Sequence, residues 1–120
     1  MLGCHPSGRP WRVAVRVPQG IDAQRPIAEV RDRSVVTSGS YERYVEIDGK
    51  RYQHIIDPRT GWPSTSDVVS ATVVGASSLT ADMLATTACL TGSEGLEALA
   101  ARHPGYKIVA ILEDGSTLCF

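Results

Sequence analysis

Cysteine is scarce in this sequence, and its few positions exclude two common kinds of small protein. Cys4, Cys89 and Cys119 are an odd, widely scattered set without the spacing of a zinc site. We therefore expect neither a disulfide framework nor a cysteine-based metal centre. Cys89 lies in an apolar helical stretch, where a thiol behaves as a small core residue.

Strong net charge and long apolar runs are missing as well. The formal charge is -1, and Lys and Arg form no stripe, so nucleic acid is not an expected partner. No apolar run reaches the length of a membrane-spanning helix, and no charged, then apolar, then small-residue leader precedes the first strand. The sequence itself therefore gives no localisation.

The composition is that of an ordinary folded protein. Hydrophobic residues make up 42% of the chain and charged residues 21%, which argues against disorder. A chain of 120 residues is long enough for one core and too short for two. We predict that residues 1–120 form a single domain.

The pattern of apolar residues predicts an α+β fold, with a largely antiparallel sheet and two helices packed on one face. A first helix begins near Ser77, Ser78 or Thr80 and ends at Gly92; a second, capped by Ser93, ends at Arg102. The spacing of the first helix places five apolar residues on its inner face, namely Leu79, Met83, Leu84, Ala88 and Leu90. Strands are expected over 11–17, 27–30, 34–38, 44–47, 51–56, 67–75, 106–112 and 117–120.

The stretch from His54 to Pro63 combines titratable side chains with a rigid turn. It follows a hairpin with its turn at Asp48-Gly49, and Pro58 must end the strand at Asp57. His54 and Ile56 then share one face of that strand. The pattern permits two interpretations: catalytic groups beside a loop, or a turn-capping Asp57 and an ordinary strand histidine.

A second pair of polar residues lies on the first predicted helix. Asp82 and Thr86 are four residues apart, so their oxygens project from the same face. A carboxylate and a hydroxyl are hard oxygen donors that suit Mg²⁺. The alternative is structural, because Asp82 is favourable near a helix N-terminus and Thr86 can bond to the carbonyl of Asp82.

Three ordered motifs together resemble the FAD:protein FMN transferases, the ApbE family. They are Thr-Ser-Gly-Ser-Tyr-Glu-Arg-Tyr at 37–44, His-Ile-Ile-Asp-Pro-Arg-Thr-Gly at 54–61 and Thr-Ala-Asp-Met-Leu-Ala-Thr at 80–86. The similarity runs from about residue 11 to about residue 112 and covers only the C-terminal portion of a family member. It implies Mg²⁺-dependent transfer of FMN from FAD to a threonine hydroxyl of another protein, with AMP leaving.

The resemblance also implies roles for individual residues. Asp82 and Thr86 would be metal ligands, His54 the candidate general base, and Asp57 its orienting partner or a turn former. Ser38, Gly39 and Ile56 would line the cofactor site. Tyr41 and Arg43 are expected to be scaffold. Family members are often exported or membrane-anchored on the periplasmic side.

The sequence departs from the family pattern at several points. Ala85 stands where some members have a second Asp, Val17 where an Asp before Pro is common, and no Gly-rich Ala-Lys-Gly type segment is present. We therefore expect weakened affinity for Mg²⁺ and FAD. Two alternatives stay open beside the transferase: an FAD pyrophosphatase, and a non-catalytic remnant or flavin-binding module. Because an exposed sheet edge favours pairing, a homodimer is also kept open.

Overall fold

The described residues form ten strands and two α-helices. The structure, a computed structural model, describes residues 3–23, 25–41 and 43–120. The strands are β1 (Trp11–Ala14), β2 (Ile27–Val30), β3 (Ser34–Gly39), β4 (Tyr44–Ile47), β5 (Lys50–Gln53), β6 (Ile56–Asp57), β7 (Trp62–Pro63), β8 (Val68–Gly75), β9 (Lys107–Leu112) and β10 (Thr117–Cys119). The helices are α1 (Ser78–Thr91) and α2 (Leu96–Arg102), with a short 3₁₀ turn, Ser93–Gly95, between them. None of the described helices is long and apolar enough to cross a membrane.

The main sheet has four strands in the order β10-β9-β8-β3, and every neighbouring pair is antiparallel. Three two-stranded antiparallel ribbons accompany it, formed by β1-β2, β4-β5 and β6-β7. The predicted α+β class with its largely antiparallel sheet is confirmed. β3 lies at one edge of the main sheet, and its register pairs Ser38 with Ala71 of the central strand β8.

The core lies between the main sheet and α1, with α2 closing one end. Ala71 and Val73 of β8, Leu96 of α2, and Ile108 and Ala110 of β9 have no solvent exposure. On α1 the buried residues are Ala81, Leu84, Ala85, Ala88 and Cys89, which recur at helical spacing. Small side chains therefore bring this helix close to the sheet.

The inner face predicted for α1 was wrong at two positions. Leu79 and Met83 are 72% and 63% exposed, because the alanines occupy the buried stripe instead. The ends of the helix were predicted correctly. The Ser77 hydroxyl accepts the N–H of Thr80 at 3.3 Å, and Gly92 follows the last turn with φ of 72°.

Ser93 does not cap α2 as predicted. Its backbone N–H and hydroxyl instead donate to the carboxylate of Asp67, at 2.9 and 2.5 Å. These bonds lower the pKa of Asp67, since they favour the ionised carboxylate. They tie the start of β8 to the turn between the helices.

The first strand is shorter than the predicted 11–17, although its alternation is as expected. β1 ends at Ala14, and Val15 continues with a bond from its N–H to the carbonyl of Pro26 at 2.9 Å. Val13 and Val15 point inward while Arg12 and Ala14 are exposed. One side of the β1-β2 ribbon is therefore apolar, and it is buried at Val15 and Val30.

Residues 44–63, here called the arm, project from the core as the β4-β5 hairpin followed by the β6-β7 turn. The hairpin turn forms as predicted, with φ of 51° at Asp48 and 73° at Gly49, the left-handed pair that a two-residue hairpin loop requires. The predicted strand 51–56 is not continuous, because β5 ends at Gln53 and Ile55 turns into the core at 6% exposure. The buried Ile55 side chain therefore anchors the arm to the core.

Candidate active site

A cleft of about 640 Å³ opens between β3, the arm and α1. Six of the seven predicted site residues line it: Ser38, Gly39, His54, Ile56, Asp82 and Thr86. Thr37, Arg43, Ile55 and Leu90 complete the lining. Residues from three separate sequence motifs are therefore brought to one opening, and the seventh, Asp57, lies outside it.

One wall of the cleft is made by the end of β3 against α1. The hydroxyls of Ser38 and Thr86 share a hydrogen bond of 3.1 Å, and the Cys89 thiol donates to the Ser38 carbonyl at 3.6 Å. Burial raises the pKa of Cys89 to about 11, so this thiol stays protonated as a donor and is no nucleophile. Ser38 is consequently held to α1 at two points.

Gly39, at the end of β3, lies in close contact with the Tyr41 ring and the Val69 backbone. A Cβ atom at this position would lie 2.5 Å from Cε1 of Tyr41 and 3.2 Å from the carbonyl oxygen of Val69. Any larger residue at this position would therefore require the Tyr41 ring to move.

Asp82 and Thr86 present oxygen donors to the cleft from successive turns of α1. Asp82 is exposed, whereas Thr86 is half-buried beside Ser38. One carboxylate with neighbouring hydroxyls is a donor set that suits Mg²⁺, which takes few protein ligands and completes its shell with waters and phosphate oxygens. Within the described part of the chain, no group of three or more His, Cys, Asp or Glu side chains forms a fuller metal site.

His54 is positioned by the hairpin rather than by a continuous strand. It directly follows β5, and its backbone N–H and ring Nδ1 both lie against the carbonyl oxygen of Arg43, at 3.1 and 3.0 Å. A carbonyl can only accept, so the Nδ1 contact fixes the proton on Nδ1. In the neutral ring this leaves the lone pair on Nε2, which is the arrangement that a general base needs.

Asp57 stabilises the β6-β7 turn. Its carboxylate accepts the backbone N–H of Arg59 at 2.9 Å and the Arg59 guanidinium at 2.7 Å, while its carbonyl accepts the N–H of Gly61 at 2.8 Å. The Arg59 bonds lower the pKa of Asp57. Of the two roles considered for Asp57, this geometry corresponds to the turn former, and the Arg43 carbonyl takes the place beside His54.

Arg43, which was predicted to be scaffold, also lines the cleft. Its carbonyl oxygen contacts the His54 ring, and a cationic residue therefore stands at the border of the cleft. The sequence did contain a signal for this position. Arg43 is cationic, and it belongs to a motif that was predicted to border a diphosphate. Glu42, in the same motif, lies outside the described residues.

The family model described as "ApbE family" matches residues 1–110. This chain therefore belongs to the ApbE family. Among curated proteins, it is 46% identical over 106 residues to the FAD:protein FMN transferase of Treponema pallidum. That alignment covers 87% of this chain and 29% of the Treponema protein. The chain is 41% identical to the FAD:protein FMN transferase of Vibrio cholerae, over 96% of this chain and 35% of that protein.

Two solved structures are also similar to this chain over nearly its whole length. The crystal structure of the ApbE protein from Thermotoga maritima matches with a TM-score of 0.84 at 33% identity, covering 97% of this chain and 38% of that one. The flavin transferase ApbE from Vibrio cholerae matches with a TM-score of 0.75 at 37% identity, covering 98% and 37%. The chain thus spans about a third of the length of these relatives.

Proposed function

We propose that this chain is one domain, corresponding to the C-terminal portion of a flavin transferase, and that it transfers FMN from FAD to a threonine hydroxyl of an acceptor protein. The observation that supports this most directly is the single cleft lined by Asp82, Thr86, His54 and Ile56. The names of the relatives give the reaction class, and the cleft offers a physical means of performing it.

In the proposed reaction the threonine oxygen attacks the phosphorus on the flavin side of the FAD diphosphate. A new phosphorus–oxygen bond forms, the bond to the bridging oxygen breaks, and AMP leaves with that electron pair. The threonine proton moves to Nε2 of His54, while the Arg43 carbonyl keeps Nδ1–H in place. No atom changes oxidation state in this transfer, so the reaction needs no oxidant or reductant.

Asp82 and Thr86 would hold Mg²⁺, with the Ser38 hydroxyl supporting Thr86. When bound, this ion supplies positive charge that favours nucleophilic attack on a diphosphate and departure of the nucleotide. Arg43 adds a further cation at the cleft, and Ile56, which is 48% exposed, offers an apolar surface to the flavin nucleotide. Ser38 and Gly39 border the same space.

Hydrolysis of FAD is a second candidate, because His54 and Asp82 are both exposed and water can reach them. Water would then replace the threonine, and the products would be free FMN and AMP.

A second copy of the chain is a further proposed partner. β3 is an edge strand of the main sheet, and an exposed edge can pair with the edge of another chain.

The test is incubation of the protein with FAD, Mg²⁺ and a threonine-bearing acceptor. We expect yellow fluorescence that stays on the acceptor after denaturation, together with one AMP per flavin attached. Free FMN with AMP would instead identify hydrolysis. Absence of Mg²⁺-dependent FAD binding in a calorimetric titration would contradict both enzymatic functions for this chain.

A further inference from the structure

Two neighbouring threonines of α1 use their hydroxyl groups in different ways. The Thr87 hydroxyl donates to the carbonyl of Met83 at 2.8 Å, which is the bond that a threonine inside a helix often makes to the preceding turn. The corresponding bond from Thr86 would go to the carbonyl of Asp82. The Thr86 hydroxyl instead shares a hydrogen bond of 3.1 Å with the Ser38 hydroxyl, and among the described residues it has no other hydrogen-bond partner.

Ser38 is held in place through its backbone. It lies in β3 opposite Ala71 of the central strand β8, and its carbonyl accepts the Cys89 thiol at 3.6 Å. Both contacts use backbone atoms of Ser38, so its hydroxyl is left for Thr86, in a bond that is partly buried. A fixed serine therefore faces the one threonine of α1 that lines the cleft.

The direction of the bond between these two hydroxyls matters for the candidate metal site. A hydroxyl has one proton and two lone pairs, and a cation binds to a lone pair. The proton of a ligating threonine must consequently be donated to another acceptor, and Ser38 is such an acceptor for Thr86. Donation to the Asp82 carbonyl would instead turn the Thr86 hydroxyl back toward its own helix.

We infer that Ser38 is a positioning residue for the candidate metal site: its hydroxyl accepts the proton of Thr86 and thereby keeps the Thr86 oxygen available to a cation beside Asp82. This rests on the proposed function, in which Asp82 and Thr86 hold Mg²⁺. Ser38 acts through Thr86 and does not itself bind the ion. Groups that orient a metal ligand in this way change metal affinity by roughly 10- to 100-fold.

The first test is a double-mutant cycle on the affinity for Mn²⁺ alone, which stands in for Mg²⁺ and is measured by electron paramagnetic resonance of the free ion. Ser38→Ala should weaken Mn²⁺ binding about tenfold, and Thr86→Val should weaken it at least as much. Because Ser38 acts through Thr86, the double variant should bind Mn²⁺ as weakly as Thr86→Val and no more weakly. Thr87→Val is the matched control and should leave the affinity unchanged, since Thr87 bonds within its own helix.

The second test needs no metal. A crystal structure of the unsubstituted chain should show the bond between Ser38 and Thr86, and one of Ser38→Ala should show the Thr86 hydroxyl bonded to the Asp82 carbonyl. The thermal midpoint of Ser38→Ala should fall by no more than that of Thr87→Val, because the backbone contacts of Ser38 are retained.

Unchanged Mn²⁺ affinity in Ser38→Ala would overturn the inference, as would losses that add in the double variant or a Thr86 oxygen that stays in place in Ser38→Ala. A much larger fall in its thermal midpoint would give Ser38 a merely structural role. Absence of Mn²⁺ binding to the unsubstituted chain would contradict the metal assignment and the inference together. Flavin transfer is measured separately, so its failure beside an intact cycle would contradict the proposed function alone.

Discussion

The core and the arm contribute to the same cleft by different physical means. The core holds Ser38, Thr86 and Asp82 on a sheet and helix whose contact residues have almost no solvent exposure. The arm holds His54 and Ile56 on short ribbons in which most residues are exposed. One side of the candidate site is therefore stabilised by apolar burial and the other by a few hydrogen bonds.

Those few hydrogen bonds nevertheless fix the position of the arm relative to the core. Gln53 donates to the carbonyl of Ser64 at 2.5 Å, the N–H of Ser64 donates to the carbonyl of Ile55 at 2.9 Å, and Ile55 itself enters the core. We therefore expect substitutions of buried core residues to lower stability before activity, and substitutions in the arm to lower activity before stability.

The largest expected effect comes from Asp82, which is placed by the core but points into the cleft. Loss of its carboxylate in Asp82→Ala should lower transfer roughly a thousandfold, since metal-assisted charge stabilisation is worth several kcal/mol. Because Asp82 is exposed, the thermal midpoint should change little. Glu97→Ala, an exposed acid on α2, is the matched control, and retained activity in Asp82→Ala would refute the metal assignment.

In the core, Leu96→Ala should lower the free energy of unfolding by about 3 kcal/mol, because a fully buried leucine leaves a cavity. The control is Leu79→Ala, at a position 72% exposed, where the change should stay below about 0.5 kcal/mol. Urea unfolding followed by circular dichroism measures both. Equal losses in the two variants would mean that the packing of α1 and α2 described above is incorrect.

In the arm, His54→Gln should slow transfer about a hundredfold while changing FAD affinity and stability much less, as removal of a general base does. Single-turnover rates and a calorimetric titration with FAD separate the two effects. His103→Gln, at the end of α2, should behave like the unsubstituted chain. Parallel losses of rate and affinity in His54→Gln would argue against a base.

The smallest effect is expected at Asp67, which links β8 to the turn between the helices. Asp67→Ala should cost about 1 kcal/mol at neutral pH, because it leaves Ser93 without its acceptor. The pKa of Asp67 is lowered in the folded protein, so this stabilisation is present above the unfolded value and is lost as the pH falls below about 4. The two stability curves should converge in acid; a constant gap would contradict the bond to an ionised carboxylate.

The core and the arm also differ in how much of their structure could be predicted from the sequence. In the core, the β-branched run of β8 and the Ser77 and Gly92 ends of α1 follow from local chemistry, so they were predictable. The exposed Leu79 and Met83 were not, because the buried stripe runs through Ala81 and Ala85, which apolar spacing alone does not single out. Small residues pack closely without contributing strongly to a hydrophobic pattern.

In the arm, Asp-Gly and Asp-Pro predicted the two turns correctly, but the tertiary role of each side chain depends on register. The bond from His54 to the Arg43 carbonyl depends on the register of the hairpin. Because Tyr44 pairs with Gln53, Arg43 and His54 lie opposite each other just beyond the ends of the two strands. Nothing local to His54 indicates that partner. The motif resemblance identified the cleft residues together, whereas spacing within each motif did not.

The central claim is that a metal held by Asp82 and Thr86 faces His54 across one cleft, and proton NMR of the three histidines tests it most directly. Mn²⁺ replaces Mg²⁺ in the presence of FAD, and the paramagnetic ion broadens nearby ring signals. We predict selective broadening of His54, with His5 and His103 unaffected, and loss of the effect in Asp82→Ala. A His54 signal that stays sharp, or one that broadens equally in Asp82→Ala, would contradict the account.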